Sequence, residues 1–271
     1  MLVDVLLRPF PKRESNSMLV ISNGAFKCGS TWLFNILTSL RRFDWPEAEF
    51  LTKGNSKHPA IAEPRLASYL ATGNFDSRDV ISKNHLDKPE HRDMLLSNKA
   101  VRVVCMTRDS RDVIVSAYFH DLRKHRFGGS FSQYYWEEGR MLLPRLRRYR
   151  ETWAEPRPQV TATSFEALKT DFHAEVARIA DLLGLAPDAA EIERLREATS
   201  IDALREKYQD APSHRTEEAD FFRKGEMGDW QNHFDDKMLA DHDRISRHGI
   251  SPLDRHHLMI RVKQKIRRVL A

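Results

Sequence analysis

The chain has only two cysteines, Cys28 and Cys105, among 271 residues. Two thiols cannot build a disulfide framework, which points to a packed core and a reducing compartment. It also has no apolar run approaching the roughly 18 residues needed to span a bilayer. The opening segment, MLVDVLLRPF, lacks a positive leader and soon meets Pro9, Pro11, Lys12 and Arg13, so no secretory signal is expected. A cytoplasmic location is the expectation. There is no internal repeat and no low-complexity segment. With 41% hydrophobic residues, the chain can bury one large core. We therefore expect a single domain over 1–271, with its core at about 18–247 and a basic C-terminal helix at about 252–270. The formal charge of +5 and the isoelectric point near 9.2 suit an anionic ligand. Nucleic acid could exploit that charge, but no reading motif or aromatic–basic platform is present, so none is expected as a partner.

What the chain does have is concentrated first in Leu19–Leu37, LVISNGAFKCGSTWLFNIL. A short apolar run enters a glycine-containing turn, which opens into an apolar-periodic segment near Ser30. That pattern is a strand, a loop and a helix. Lys27, Gly29, Ser30 and Thr31 would bring an ammonium, two hydroxyls and backbone N–H groups to a helix N-terminus, a natural anion site. Gly24 to Thr31 nearly satisfies the nucleotide-binding pattern G-x-x-x-x-G-K-[ST], but Ser30 stands where lysine is needed. Two chemistries stay open on this loop alone: a Mg²⁺-dependent kinase, or another phosphate-type ligand.

Strand patterns fall near Leu19–Ser22, Val80–Ser82, Val101–Thr107 and Gln159–Thr163. Helical periodicity marks Ser30–Leu40, Arg111–Leu122, Glu137–Trp153, Glu166–Leu183 and Asp188–Ala198. Strands alternating with helices predict an α/β fold: a central parallel sheet flanked by helices, with functional loops at the strand C-terminal ends. Lys27, His85 and Arg108 would each lie just after a strand.

Three further segments carry chemistry. Ala100–His120 runs from a β-branched strand into Arg108 and then a helix bearing Ser116, eight residues on. The arginine offers a planar fork suited to phosphate. Phe222–Phe234, FRKGEMGDWQNHF, sets Arg223 and Lys224 beside Gly225, where a backbone without Cβ admits close approach of an anion. Asp79–Leu86, DVISKNHL, places Lys83 and His85 at a strand end.

Together, Lys27-Cys28-Gly29-Ser30-Thr31-Trp32, Lys83-Asn84-His85-Leu86, Arg108 with Ser116, and Arg223-Lys224-Gly225 followed by Gly228-Asp229-Trp230 resemble the sulfotransferases. These enzymes use 3′-phosphoadenosine-5′-phosphosulfate (PAPS) and release 3′-phosphoadenosine-5′-phosphate (PAP). The resemblance implies a kinase-related P-loop-like fold and in-line sulfuryl transfer to an acceptor hydroxyl or amine. It implies His85 as general base, with Lys27 and Lys83 stabilising charge at the transferring group. Residues 27–32 would hold the 5′-phosphosulfate, and Arg108, Ser116, Arg223, Lys224 and Gly225 the 3′-phosphate. Trp32, Phe165, Thr199 and Ile201 would line the adenine. A sulfuryl group carries less charge than a phosphoryl group, so lysines can replace the metal and none is expected.

The chain departs from the family pattern at several positions. Phe26 stands for proline, Cys28 for serine or alanine, and Asn84 for threonine or serine, a change expected to be tolerated. Phe165 replaces a tyrosine and Ile201 an aromatic residue, which weakens the adenine assignment. A thiol at a helix N-terminus tends toward a lowered pKa, so oxidation of Cys28 could block the cofactor; a small packing residue is the plainer reading. The family's dimer stretch K-x-x-x-T-V-x-x-x-E is absent, Gln231, Asp235, Asp236 and Ala240 occupying its positions, so the oligomeric state stays open.

The acceptor pocket is expected from Asp44–Pro59 and Phe119–Gly129, but no motif names the acceptor: small molecule, glycan and lipid all stay open. Leu253–Leu270, LDRHHLMIRVKQKIRRVL, could meet an anionic membrane or acceptor, or simply pack its apolar stripe on the domain. A kinase is disfavoured by Ser30 and by the Arg223–Trp230 segment. A non-enzymatic basic binding protein is disfavoured by His85, which that role would not need.

Overall fold

A computed structural model of the chain describes residues 17–53, 58–72, 75, 77–209 and 224–254. In chain order the elements are β1 (Leu19–Gly24), α1 (Ser30–Leu40), α2 (Leu66–Thr72), β2 (Val80–Asn84), α3 (Pro89–Leu96), β3 (Val101–Thr107), α4 (Ser110–Arg123), α5 (Phe131–Glu137), α6 (Leu143–Thr152), β4 (Val160–Ser164), α7 (Phe165–Thr170), α8 (Phe172–Leu182), α9 (Ala189–Ala198), α10 (Ile201–Gln209) and α11 (Asp236–His248). They fall into two compact units, Met1–Arg108 with Glu151–Arg223, and Asp109–Arg150 with Lys224–Ala271.

The first unit holds a four-stranded sheet in the order β2-β1-β3-β4. Every pairing is parallel, with Leu19 opposite both Val80 and Val101. Parallel neighbours cannot be joined by tight hairpins, so each connection is a crossover. A sheet covered on both faces reads as continuous apolar sequence, and all six residues of β1 are buried. Leu19, Val20, Ile21, Val80, Ile81, Val103, Val104 and Met106 have no exposed surface. Each such side chain contributes about 1.5–3 kcal/mol by leaving water. The strand order reverses direction between β1 and β3, the point where open α/β sheets bind ligands at their carboxyl ends.

The second unit is helical, built from α4, α5, α6 and α11. Its interior includes Arg140, 1% exposed, whose guanidinium pairs with Asp241 at 2.7 Å and Asp254 at 2.8 Å. A buried charge is tolerated when it is paired and hydrogen-bonded, and this fork has both.

Two expected helices are divided. Glu166–Leu183 breaks at Asp171, which leaves helical geometry and turns its carboxylate to accept the N–H of Ala174, capping α8. Glu137–Trp153 breaks at Glu138 (φ −130°), beyond which a 3₁₀ turn at Gly139–Leu142 leads into α6. The expected C-terminal helix falls almost wholly outside the described residues; residues 252–254 form a turn in which the Asp254 N–H donates to the Ser251 carbonyl. No helix among the described residues is long and apolar enough to cross a membrane.

Candidate active site

In the first unit β1 ends at Gly24, and the Ala25 N–H donates to the Met106 carbonyl of β3 at 2.9 Å. The chain then turns through Lys27 (φ 58°) and Gly29 (φ 92°) into α1. A left-handed backbone at Gly29 suits glycine, and space demands it as well. A Cβ there would lie 2.9 Å from the Phe165 ring and 3.1 Å from the Met106 methyl. Gly29 caps α1 without a side-chain hydrogen bond to the first N–H groups, and the first turn carries no acidic residue. The positive end of the helix is therefore left open to an anion.

Three side chains stand around this turn. The Lys83 ammonium, at the end of β2, donates to the Thr31 hydroxyl across 2.8 Å. Burial of that ammonium pulls its pKa down to about 7; Cys28 opposes the shift and Lys27 adds to it. His85 follows immediately, its Nδ1 hydrogen-bonded to the Gly24 carbonyl. A carbonyl only accepts, so Nδ1 carries the proton and Nε2 is the basic nitrogen. Arg108, after β3, lays its guanidinium 4.2 Å over the Phe165 ring. Phe165 in turn meets the edge of Trp32 at 5.4 Å, and Phe172 stacks on Trp32 at 6.1 Å. The phenylalanine at the family's tyrosine position keeps the ring and lacks the hydroxyl. Thr199, 2% exposed, donates its hydroxyl to the Leu195 carbonyl at the end of α9, and Ile201 opens α10.

Cys28 follows the plainer of its two readings. It is fully buried, and burial pushes its thiol up to about 12. The lowered pKa expected at a helix N-terminus is overridden by loss of water, leaving Cys28 a packing residue.

Sequence reasoning missed the residues that hold His85 in place. The Asn23 amide accepts the Leu86 N–H at 2.8 Å and donates to the Leu86 carbonyl at 3.2 Å. Trp153 Nε1 donates to that same carbonyl at 2.8 Å, and the Thr152 hydroxyl to the Asp87 carbonyl at 3.1 Å. The available signal was Asn23, an amide near the end of a strand that opens Leu19-Val20-Ile21. Asn84 also does more than fill its position: its Oδ1 accepts from Ser82 and its Nδ2 donates to the Ile61 carbonyl at 2.9 Å. The segment expected to wall the acceptor on this unit, Asp44–Pro59, contains a 3₁₀ turn at Ala48–Phe50, and residues 54–57 lie outside the described residues.

In the second unit Asp109 caps α4 by accepting the Arg111 N–H at 2.8 Å. Burial alone would raise the Asp109 pKa, but its hydrogen bonds from Arg111 hold it below the usual carboxylate range. Ser116 is partly exposed on the same helix. Lys224 donates to Asp229 at 2.9 Å, while Gly225 (φ 65°) and Gly228 (φ 79°) provide left-handed turns. Arg111 places its guanidinium 3.6 Å over the Trp230 ring. Arg223 lies outside the described residues. Phe119–Gly129, the other expected acceptor wall, spans the end of α4 and the turn after it; there Tyr118 meets Phe119 at 5.0 Å and Phe127 at 6.3 Å.

Comparison with known proteins finds sulfotransferases among the chain's relatives. Human sulfotransferase 6B1 is 26% identical over 220 residues, covering 77% of this chain and 68% of its own. Human sulfotransferase 2A1 is 24% identical over 263 residues, covering 93% and 86%. In fold, the chain resembles mouse sulfotransferase SULT7A1 complexed with PAP, with a TM-score of 0.63, 17% identity and coverage of 92% and 89%. It also resembles retinol dehydratase in complex with androsterone and inactive cofactor PAP, at 0.60, 20%, 93% and 86%. A lysine turn and an uncapped helix at the end of one strand, with a histidine of fixed tautomer ending the next, thus coincide with a match of the sulfotransferase domain family to residues 19–260, and the chain belongs to that family.

Proposed function

We propose that this sulfotransferase uses His85 as general base, Lys27 and Lys83 as the cations facing the transferring group, and no metal. The observation that carries this reading is the His85 hydrogen bond to the Gly24 carbonyl, which commits the ring to accept a proton at Nε2. PAPS, when bound, supplies the sulfuryl group and departs as PAP.

The residues fit that cofactor. The first turn of α1 has no side-chain cap and no acidic residue, so its N–H groups suit an anionic group, and Gly24 and Gly29 let the turn pack against Ser30, Cys28, Phe165 and Met106. Residues 27–32 would hold the 5′-phosphosulfate; Arg108, Ser116, Arg223, Lys224 and Gly225 would hold the 3′-phosphate. Trp32, Phe165, Thr199 and Ile201 would line the adenine. At neutral pH the buried Lys83 ammonium sits near its midpoint. An anion beside it favours the charged form, so binding restores the cation where negative charge develops. His85 then takes the acceptor's proton at Nε2. With two lysines neutralising the developing charge, the reaction needs no divalent cation.

The acceptor we favour is a small organic molecule with a hydroxyl or amine, a reading supported by androsterone bound to the related retinol dehydratase. A cytoplasmic setting is supported by the cytosolic sulfotransferase 6 of Arabidopsis thaliana, 25% identical over 249 residues.

The test is calorimetric titration of the metal-free protein with PAP, beside ATP with Mg²⁺. Tight, magnesium-independent binding of PAP that weakens in Arg108→Ala is expected. Preference for Mg²⁺-ATP would sink the reading and favour a kinase. Sulfuryl transfer assayed across phenol, steroid, amine, glycan and lipid acceptors then identifies the substrate class.

A further inference from the structure

Asp112 lies in the first turn of α4, 2% exposed. Its Oδ2 accepts the Gly228 N–H at 2.8 Å, and its Oδ1 accepts the Trp230 N–H at 3.0 Å. Those N–H groups belong to the cap and the second residue of the 3₁₀ turn Asp229–Asn232, which has no side-chain cap of its own. One carboxylate in the first turn of α4 therefore accepts from both N–H groups at the start of the 3₁₀ turn.

The neighbouring residue completes the grip. Arg111 covers the Trp230 ring and is itself held by Asp109, its Nε donating at 3.0 Å. Consecutive residues of α4 thus hold the backbone and the ring of one short segment. Asp229 lies between the two anchored N–H groups and is 4% exposed. Its Oδ1 accepts from the Lys224 ammonium at 2.9 Å and from Asn232 Nδ2 at 3.1 Å. The line of contacts runs from the Asp112 carboxylate, through the backbone of Gly228 and Trp230, to Asp229 and on to the Lys224 ammonium.

We infer that Asp112 is a positioning residue for recognition of the cofactor's 3′-phosphate: it sets the segment that places Lys224, and so sets the preference for 3′-phosphorylated nucleotides. The inference rests on the proposed assignment of Lys224 and Gly225 to that phosphate. Its role is exerted through the segment rather than on the phosphate itself. Asparagine at 112 preserves shape but offers one acceptor and one donor to two N–H donors.

The experiment compares PAP with adenosine 5′-phosphate, which lacks only the 3′-phosphate, by calorimetry on the full chain. The wild-type protein should bind PAP at least a hundredfold more tightly. In Asp112→Asn the PAP affinity should fall at least tenfold while that for adenosine 5′-phosphate stays within twofold. Equal loss for both nucleotides, or loss for neither, would overturn the inference. Equal wild-type affinity for the two would overturn the 3′-phosphate assignment, and the inference with it. Should Asp112→Asn not fold, Arg111→Met removes the ring contact and leaves the carboxylate. It should lower the PAP preference at least threefold, and an unchanged preference there would overturn the inference.

Discussion

The Lys83 ammonium and the Thr31 hydroxyl meet at 2.8 Å, tying the edge strand β2 to the first turn of α1. This lysine carries its charge where burial opposes it, with a pKa lowered from 10.5 to about 7. The unfolded chain therefore binds the proton more strongly than the folded one. The cost to stability is complete below pH 7 and shrinks as pH rises toward 10.5, by about 1.4 kcal/mol per pH unit. Lys83→Met should consequently raise the melting temperature at pH 7 while abolishing transfer, and its advantage should vanish near pH 10.5. Thermal unfolding of both proteins from pH 6 to 10.5 checks this; an advantage that did not change with pH would refute the buried charge as its source.

His85→Ala should lower kcat about 10²–10⁴-fold, the usual contribution of a positioned general base. PAP affinity should change less than twofold, because the loop that carries Lys27 is built from β1 and α1. Calorimetry and steady-state kinetics on one preparation separate the two effects. Lost PAP binding in this variant would make the histidine a structural residue.

Gly29→Ala should destabilise the fold. A left-handed residue with a Cβ costs about 1–2 kcal/mol, and the 2.9 Å approach to Phe165 adds to it. Urea denaturation measures the loss. Because Phe165 also carries Arg108, PAP affinity should fall as well.

Cys28 and Cys105 are both buried thiols. With the Cys28 thiol pushed up to about 12, native protein should react negligibly with a disulfide reagent at pH 7.5, and denatured protein should release two equivalents. Cys28→Ser should keep PAP affinity within threefold. Fast labelling of Cys28 in the native state would restore the reactive-thiol reading.

The sequence was most readable where one local rule decided the outcome. Ser30–Leu40 and Val101–Thr107 appear with the bounds that periodicity predicts, because each buries a regular apolar pattern. Glu166–Leu183 was misread because an apolar period continues through Asp171 while the backbone does not; the capping carboxylate outweighed the pattern. The helix Asp236–His248 went unread although Asp235 caps it, since only Met238, His242 and Ile245 are buried on it. Lys27, Lys83 and His85, which carry the proposed chemistry, stand out in the sequence because each lies in a short local motif. Asn23 and Asp112 do not, because each acts on backbone groups more than sixty positions away, a relationship that only the folded chain creates.

The division of the chain into two units has a practical side. The polypeptide passes from one unit to the other after Arg108, after Arg150 and after Arg223, so neither is a continuous stretch of sequence. No single truncation can release either as an independent fragment. A protease cut at any one crossing divides at least one of the two units between the pieces. Engineering by excision or module exchange is therefore closed to this enzyme, and changes to its specificity must be made by substitution within loops, with the whole chain kept as the unit of expression.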